Sequence, residues 1–191
     1  MVRGVILARG IVSLKVTLLG SAKPPIWRRL HVRDNFSLLY LHVAIQAAMG
    51  WEESHMHDFR IGDVRYGNRA QTDEVEDEER IALNQLNKMG IRSFVYTYDF
   101  GDDWEHRVVI EKPPPAVAGR VYPACVAGKG RCPPEDCGGI WGYYGLLEIL
   151  ADPSHPEYGD RREWCEGELD PAAFSVAEAD AALEARFNRM L

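Results

Sequence analysis

The chain has 191 residues, 46% of them apolar and 27% charged, which is the balance of a folded globular protein rather than a disordered or fibrous one. That length suits one hydrophobic core with an appended helical part and leaves little room for two independent domains. With 29 acidic residues against 22 basic ones the formal net charge is −7, which argues against a life on nucleic acid, where a basic face must displace condensed counterions.

The N-terminus "MVRGVILARGIV" has Arg3 and Arg9 around too few apolar residues for a secretory signal, and no later run reaches membrane-spanning length. A cytoplasmic protein without a membrane partner is expected. "IVSLKVTLLG" places Val12, Leu14, Val16 and Leu18 on one face. "IWRRLHV" does the same with Ile26, Arg28, Leu30 and Val32 against Trp27, Arg29 and His31, so two strands joined through "SAKPP" are predicted. Arg28, Arg29 and Arg33 form the one dense basic cluster. Ser37 is placed to cap a helix whose Leu38, Leu41, Ile45 and Met49 fall at helical spacing, with Gly50 as its terminator.

"HDFRIGDVRYG" predicts a third strand and a fourth, and "IALNQLNKMG" a short helix or turn. Between them Asp73, Glu74, Glu76, Asp77, Glu78 and Glu79 read as a solvated acidic surface. Phe94, Tyr96 and Tyr98 share a face of "RSFVYTYDF", and Trp104, His106, Val108 and Ile110 share one of "WEHRVVIE". An antiparallel hairpin with "FGDD" as its turn follows, Gly101 supplying the freedom. After the linker "EKPPPAVAG", the segment "PACVAGKGRCPPEDCGG" reads as a Cys/Pro/Gly loop. Helices are expected over "YYGLLEIL", over "HPEYGDRREWCEG", and from Ser175 to the C-terminus, where Ser175 and Glu178 have capping-box spacing. The expectation is α+β: a mixed or antiparallel sheet with a β-grasp-like (ubiquitin-like) strand-strand-helix-strand opening and C-terminal helices packed on it. Residues 1–191 read as one domain, with a sheet-and-helix core over 1–112, a loop over 113–141 and a helical part over 142–191.

Several side chains could carry chemistry. Asp102 and Asp103 lie at a turn, where Asp often bonds backbone amides, yet with His106 they also suit divalent-metal or general acid-base work. His106 itself shares the strand side of Trp104 and Val108, the position of a core histidine. His55 and His57, two apart, would face one side of an extended segment and could both reach one ion. Cys125, Cys132 and Cys137 lack the Cys-x-x-Cys knuckle. Free thiols are therefore favoured over a zinc site closed by His106, and Cys165 is read as a further thiol. Phosphate-loop, dinucleotide, Gly-x-Ser-x-Gly and His-Glu-x-x-His motifs are absent from the chain.

The motifs "PPIWRRLHV", "LHVAIQAAMGW", "HMHDF", "YTYDFGDDWEH" and "CPPEDCGGIWGY", in this order, resemble the plasmid pRiA4b ORF-3-like family over most of residues 11 to 175. The resemblance implies an α+β fold and a link to plasmids and mobile elements. It singles out His42, Trp51, His55, His57, Asp99, Gly101, Asp102, Trp104, His106, Pro133, Pro134, Glu135, Asp136, Cys137, Gly138 and Gly139, without giving them roles. Some members carry resolvase-like or repressor-like labels. A serine resolvase would need a nucleophilic Ser among arginines and a basic helix-turn-helix, and the chain shows neither.

The function expected is a non-enzymatic protein-binding module without a cofactor. It would present a surface of His55, His57, Asp99, Asp102, Asp103, Trp104, His106, Glu135 and Asp136 to a protein partner. The alternative is a metal-dependent hydrolase or nuclease using His55, His57, Asp102, Asp103, His106 and Glu135. A DNA-binding regulator or resolvase-related accessory protein is the weaker third reading.

Overall fold

The computed structural model describes residues 10–112, 117 and 119–190. The segment around Arg3 and Arg9 and most of the Pro-rich linker lie outside them. Strands β1 (Ile11–Leu18) and β2 (Trp27–Arg33) pair antiparallel, Ile11 opposite Arg33 and Thr17 opposite Trp27. Their alternation sets the two faces of the sheet: Val12, Leu14, Val16 and Leu18, with Ile26, Arg28, Leu30 and Val32, are all buried. Arg28 is tolerated on that inner face because backbone carbonyls surround its guanidinium. Nε donates to the Ala48 oxygen (2.9 Å) and Nη1 to those of Trp27, Lys129 and Gly130.

Helix α1 (Leu38–Met49) begins where the Ser37 hydroxyl accepts the Tyr40 amide and ends at Gly50, whose φ of 94° lets its own amide reach the Gln46 carbonyl. Ten of its twelve residues are buried, because it lies on the inner face and is itself flanked by the C-terminal helix. The chain continues through β3 (His57–Ile61), β4 (Val64–Gly67), β5 (Glu76–Asp77), α2 (Leu83–Lys88), β6 (Ser93–Tyr98), β7 (Trp104–Glu111) and β8 (Ala124–Lys129). Helices α3 (Gly139–Ala151), α4 (Tyr158–Trp164) and α5 (Val176–Asn188) complete it. The Ser175 hydroxyl accepts the Glu178 amide at the start of α5. No helix among the described residues is long and apolar enough to cross a membrane.

The eight strands form one sheet in the order β5-β4-β3-β6-β7-β1-β2-β8, antiparallel except between β4 and β5. The β-grasp-like likeness is limited to the opening order of elements. The β6–β7 hairpin inserts between β3 and β1, so β1 has antiparallel neighbours on both sides. Two further differences from expectation follow from tertiary contacts. Residues 124–129, expected as loop, are the edge strand β8, held by β2 and by α5, whose Asp180 accepts the Cys125 amide at 2.8 Å. The acidic run is not uniformly solvated either: Glu78 is 2% exposed, because it turns inward to His57.

Candidate functional site

The β6–β7 turn and the loop after β8 meet at one end of the sheet. Asp99 opens the turn with φ 56°, a conformation Asp tolerates because its short side chain bonds locally; here Oδ1 accepts the Gly101 amide (2.9 Å). The Asp99 amide in turn donates to the Met56 carbonyl, which ties the turn to the segment after α1. Three anchors then fix the "CPPEDCGG" loop. Trp51 Nε1 donates to the Pro133 carbonyl (3.0 Å), the Tyr98 hydroxyl donates to Glu135 Oε1, and the Gly138 amide donates to Asp102 Oδ2 (3.1 Å). Glu135 Oε2 accepts the Glu52 amide, and the Tyr98 hydroxyl also accepts the Ser54 amide. Burial, with Glu135 beside it, pushes the Tyr98 pKa upward, so the phenol keeps its proton. At Gly139 (φ 67°) a Cβ would lie 2.3 Å from the Asp102 carbonyl oxygen; only glycine permits this approach.

Around this junction His55 Nε2 lies 3.2 Å from Asp136 Oδ1 and 3.7 Å from Asp99 Oδ2. The nitrogen is shielded from solvent and makes no well-aligned hydrogen bond to either carboxylate. These three side chains are the one group of three or more His, Cys, Asp or Glu ligands brought within 4.8 Å of one another among the described residues. One imidazole and two carboxylates could hold a divalent cation with open positions left over.

His57 takes no part. It starts β3 on the inner face, stacks on His42 at 3.4 Å and 2°, and bonds Glu78 through Nε2 (2.7 Å). The expectation that His55 and His57 reach one ion therefore fails, because the chain between them turns into the sheet. Next to this pair, Gln46 Nε2 donates to the Tyr96 hydroxyl (2.9 Å), and that hydroxyl lies 2.8 Å from His42 Nδ1. Burial and the neighbouring His57 hold His42 well below the usual imidazole range. The ring is thus neutral near pH 7, and its Nδ1 pairs with the Tyr96 hydroxyl. Gln46, Tyr96 and Glu78 carry no sequence motif of a polar cluster; the one local signal is the i, i+4 spacing of His42 and Gln46 on α1.

Trp104 and His106 are buried too, at 1% and 0% exposure, and lend nothing to a surface. His106 Nδ1–H donates to the Trp104 carbonyl (2.9 Å), and the ring meets Trp51 edge-on. Asp103 (φ 54°) serves the turn through its amide, which reaches the Asp99 carbonyl. The cysteines are all free, and Cys125, Cys132 and Cys137 do not gather around His106. Burial pushes the Cys132 thiol upward and the Cys137 thiol up to about 12, the neutral state of packed thiols.

Behind the loop lies an open groove of 780 Å³, walled by the end of α1, the residues after β8, and the α4–α5 region. Trp51, Pro133, Pro134, Glu135, Trp164 and Phe174 line it.

A mostly antiparallel sheet that carries α1 and α5 on its inner face, with a polar junction between a strand turn and a Pro/Cys/Gly loop, defines an α+β protein. The family model of the plasmid pRiA4b ORF-3-like proteins matches residues 10–178, and the chain belongs to that family. A protein of Sinorhizobium fredii, described as the uncharacterized protein y4hQ, is 41% identical over 178 residues, 91% of either chain. The crystal structure of MM3350 from Methanosarcina mazei Go1, a protein of unknown function, is similar with a TM-score of 0.82 and 38% identity. The match covers 89% of this chain and 97% of that one.

Proposed function

We propose that the protein is a non-enzymatic binding module whose groove takes an extended, basic segment of a partner protein, in the plasmid or mobile-element setting that its family's name suggests. The observation that supports this reading is the 780 Å³ groove lined by the motif residues Trp51, Pro133, Pro134 and Glu135. Its size is that of a ligand site, and its open form suits a chain rather than an enclosed small molecule. Glu52, Glu135, Glu166 and Glu178 outnumber Arg28 and Arg131 along it, and Arg28 is already engaged by carbonyls. Trp164, 45% exposed, offers an aromatic anchor on the rim.

A photoreactive residue in place of Trp164 is expected to crosslink one protein in cells, through a Lys/Arg-rich segment. The yield should drop when Glu52→Lys is added. Crosslinks scattered over abundant proteins, or an equal yield from the same group at Met89, outside the groove, would overturn the reading.

The His55, Asp99 and Asp136 cluster supports a second reading, a metal-dependent hydrolase or nuclease. Of the ligands expected from sequence, His55 belongs to the cluster and Glu135 stands beside it. Elemental analysis of untagged protein decides: a bound equivalent of metal, with hydrolysis that follows it, would favour the enzyme. Metal-free protein inert to added magnesium or manganese would dismiss it.

A further inference from the structure

The strand register gathers cations on the sheet face opposite α1. Inner-face residues such as Leu14, Leu30, Tyr96 and Trp104 are buried, whereas Lys15, Arg29, Arg60 and Arg107, of opposite parity, are half-buried or exposed. One cross-strand row passes from β8 to β4 through Lys129, Trp27, Arg107, Arg60 and Arg65, with Thr17 and Val95 between. At ~4.8 Å per strand that row is about 30 Å long. Arg29 and Lys15 stand opposite each other in the adjoining row, and Arg33 ends β2 on the same side.

The carboxylates of this face are already matched: Glu111 by Arg29 (2.7 Å), Glu105 by Arg60 (3.4 Å) and Asp58 by Arg65 (2.5 Å). Lys15, Arg33, Arg107 and Lys129 have no carboxylate within 4.0 Å among the described residues. A positive patch therefore sits on a chain whose net charge is −7. Half-buried Trp27 lies within it, with Lys15 Nζ 5.1 Å and Arg29 Cζ 5.4 Å from its ring centroid. The local field is felt by His31, held below the usual imidazole range by burial first and then by Arg120 and Arg29.

We propose that this open face binds single-stranded nucleic acid, its phosphates crossing the strands on Lys15, Arg107 and Lys129 and a base stacking on Trp27. A track of cations around an aromatic platform is the arrangement that serves such strands, because every base has a π face. An acidic polypeptide would gain the charges but not the ring, whose negative face repels carboxylates. A duplex is a poorer fit, since neither a helix nor a projecting ribbon is offered to its major groove. The net charge hid this surface because it averages a basic face with an acidic junction.

The test is fluorescence anisotropy with labelled oligo-dT and oligo-U of about 12 nucleotides and the untagged full chain. If the three phosphates on Lys15, Arg107 and Lys129 are neutralised, affinity should fall about 20-fold between about 50 and 200 mM salt. Arg107→Glu with Lys129→Glu, both exposed and without side-chain partners, should weaken binding at least about tenfold at unchanged melting temperature. Trp27→Ala should remove binding-induced quenching of tryptophan emission. No binding at the lower salt, or unchanged binding by the double variant, would overturn the proposal. So would polyglutamate or duplex DNA competing as well as the single strand.

Discussion

His106 is wholly enclosed, and burial pushes its pKa down to about 4; His42 is lowered as well, first by burial and then by His57 and Arg186. The unfolded chain takes up these protons near pH 6.5, whereas folded His106 does so only near 4. Stability is thus complete above about pH 6.5 and is lost as pH falls through that window, by about 3 kcal/mol for His106 alone. Urea unfolding at pH 7 and pH 4.5 should show the loss, and His106→Met should flatten the dependence. An unchanged slope in that variant would remove His106 as its source. Glu78→Ala leaves His57 Nε2 buried and unmatched, and we expect a cost of about 2–3 kcal/mol in denaturant unfolding. Glu79→Ala, on the exposed side of the same run, should stay within about 0.5 kcal/mol. Equal effects would mean that the His57 contact contributes nothing. The difference between these two glutamates was not legible in the sequence. Six acids in seven positions look alike until the chain returns one of them to a histidine 21 residues away.

Among the elements, α3 offers a paired test. Gly139→Ala puts a methyl group against the Asp102 carbonyl in a left-handed conformation, and should destabilise by roughly 2–4 kcal/mol while freeing the loop from the hairpin turn. Gly145→Ala, with open space around it inside the same helix, should instead stabilise by up to about 1 kcal/mol. Thermal melts of the two variants should move in opposite directions. Most elements were legible because their signals are local: Ser37 and Gly50 at the ends of α1, the alternation of β1 and β2, and the aromatic parity of β6 and β7. Strand β8 was not, since Gly128, the following Gly130 and the flanking prolines resemble a loop. Gly128 is required there by Phe174, whose ring would lie 2.5 Å from a Cβ, a contact from a segment more than forty residues downstream.

For the molecule as a whole, protection should follow depth in the sheet. Strands β1 and β7 have neighbours on both sides and buried inner faces, whereas β5 has two residues and α4 buries none of its side chains. Amide exchange is expected to be slowest in β1 and β7 and fastest in α4 and β5; an α4 as slow as β1 would contradict this ranking. At this scale the candidate site was half legible. The Asp102 turn and the Cys/Pro/Gly loop meet, but parity along β3 and β7 sends His57, Trp104 and His106 inward, and His55 lies against Asp99 and Asp136. The sheet carries α1 and α5 on one side only, and from this asymmetry the groove and the cationic row look in opposite directions. If both proposed ligands bind, the sheet stands between them as a spacer, and saturating one is expected to leave the affinity for the other unchanged.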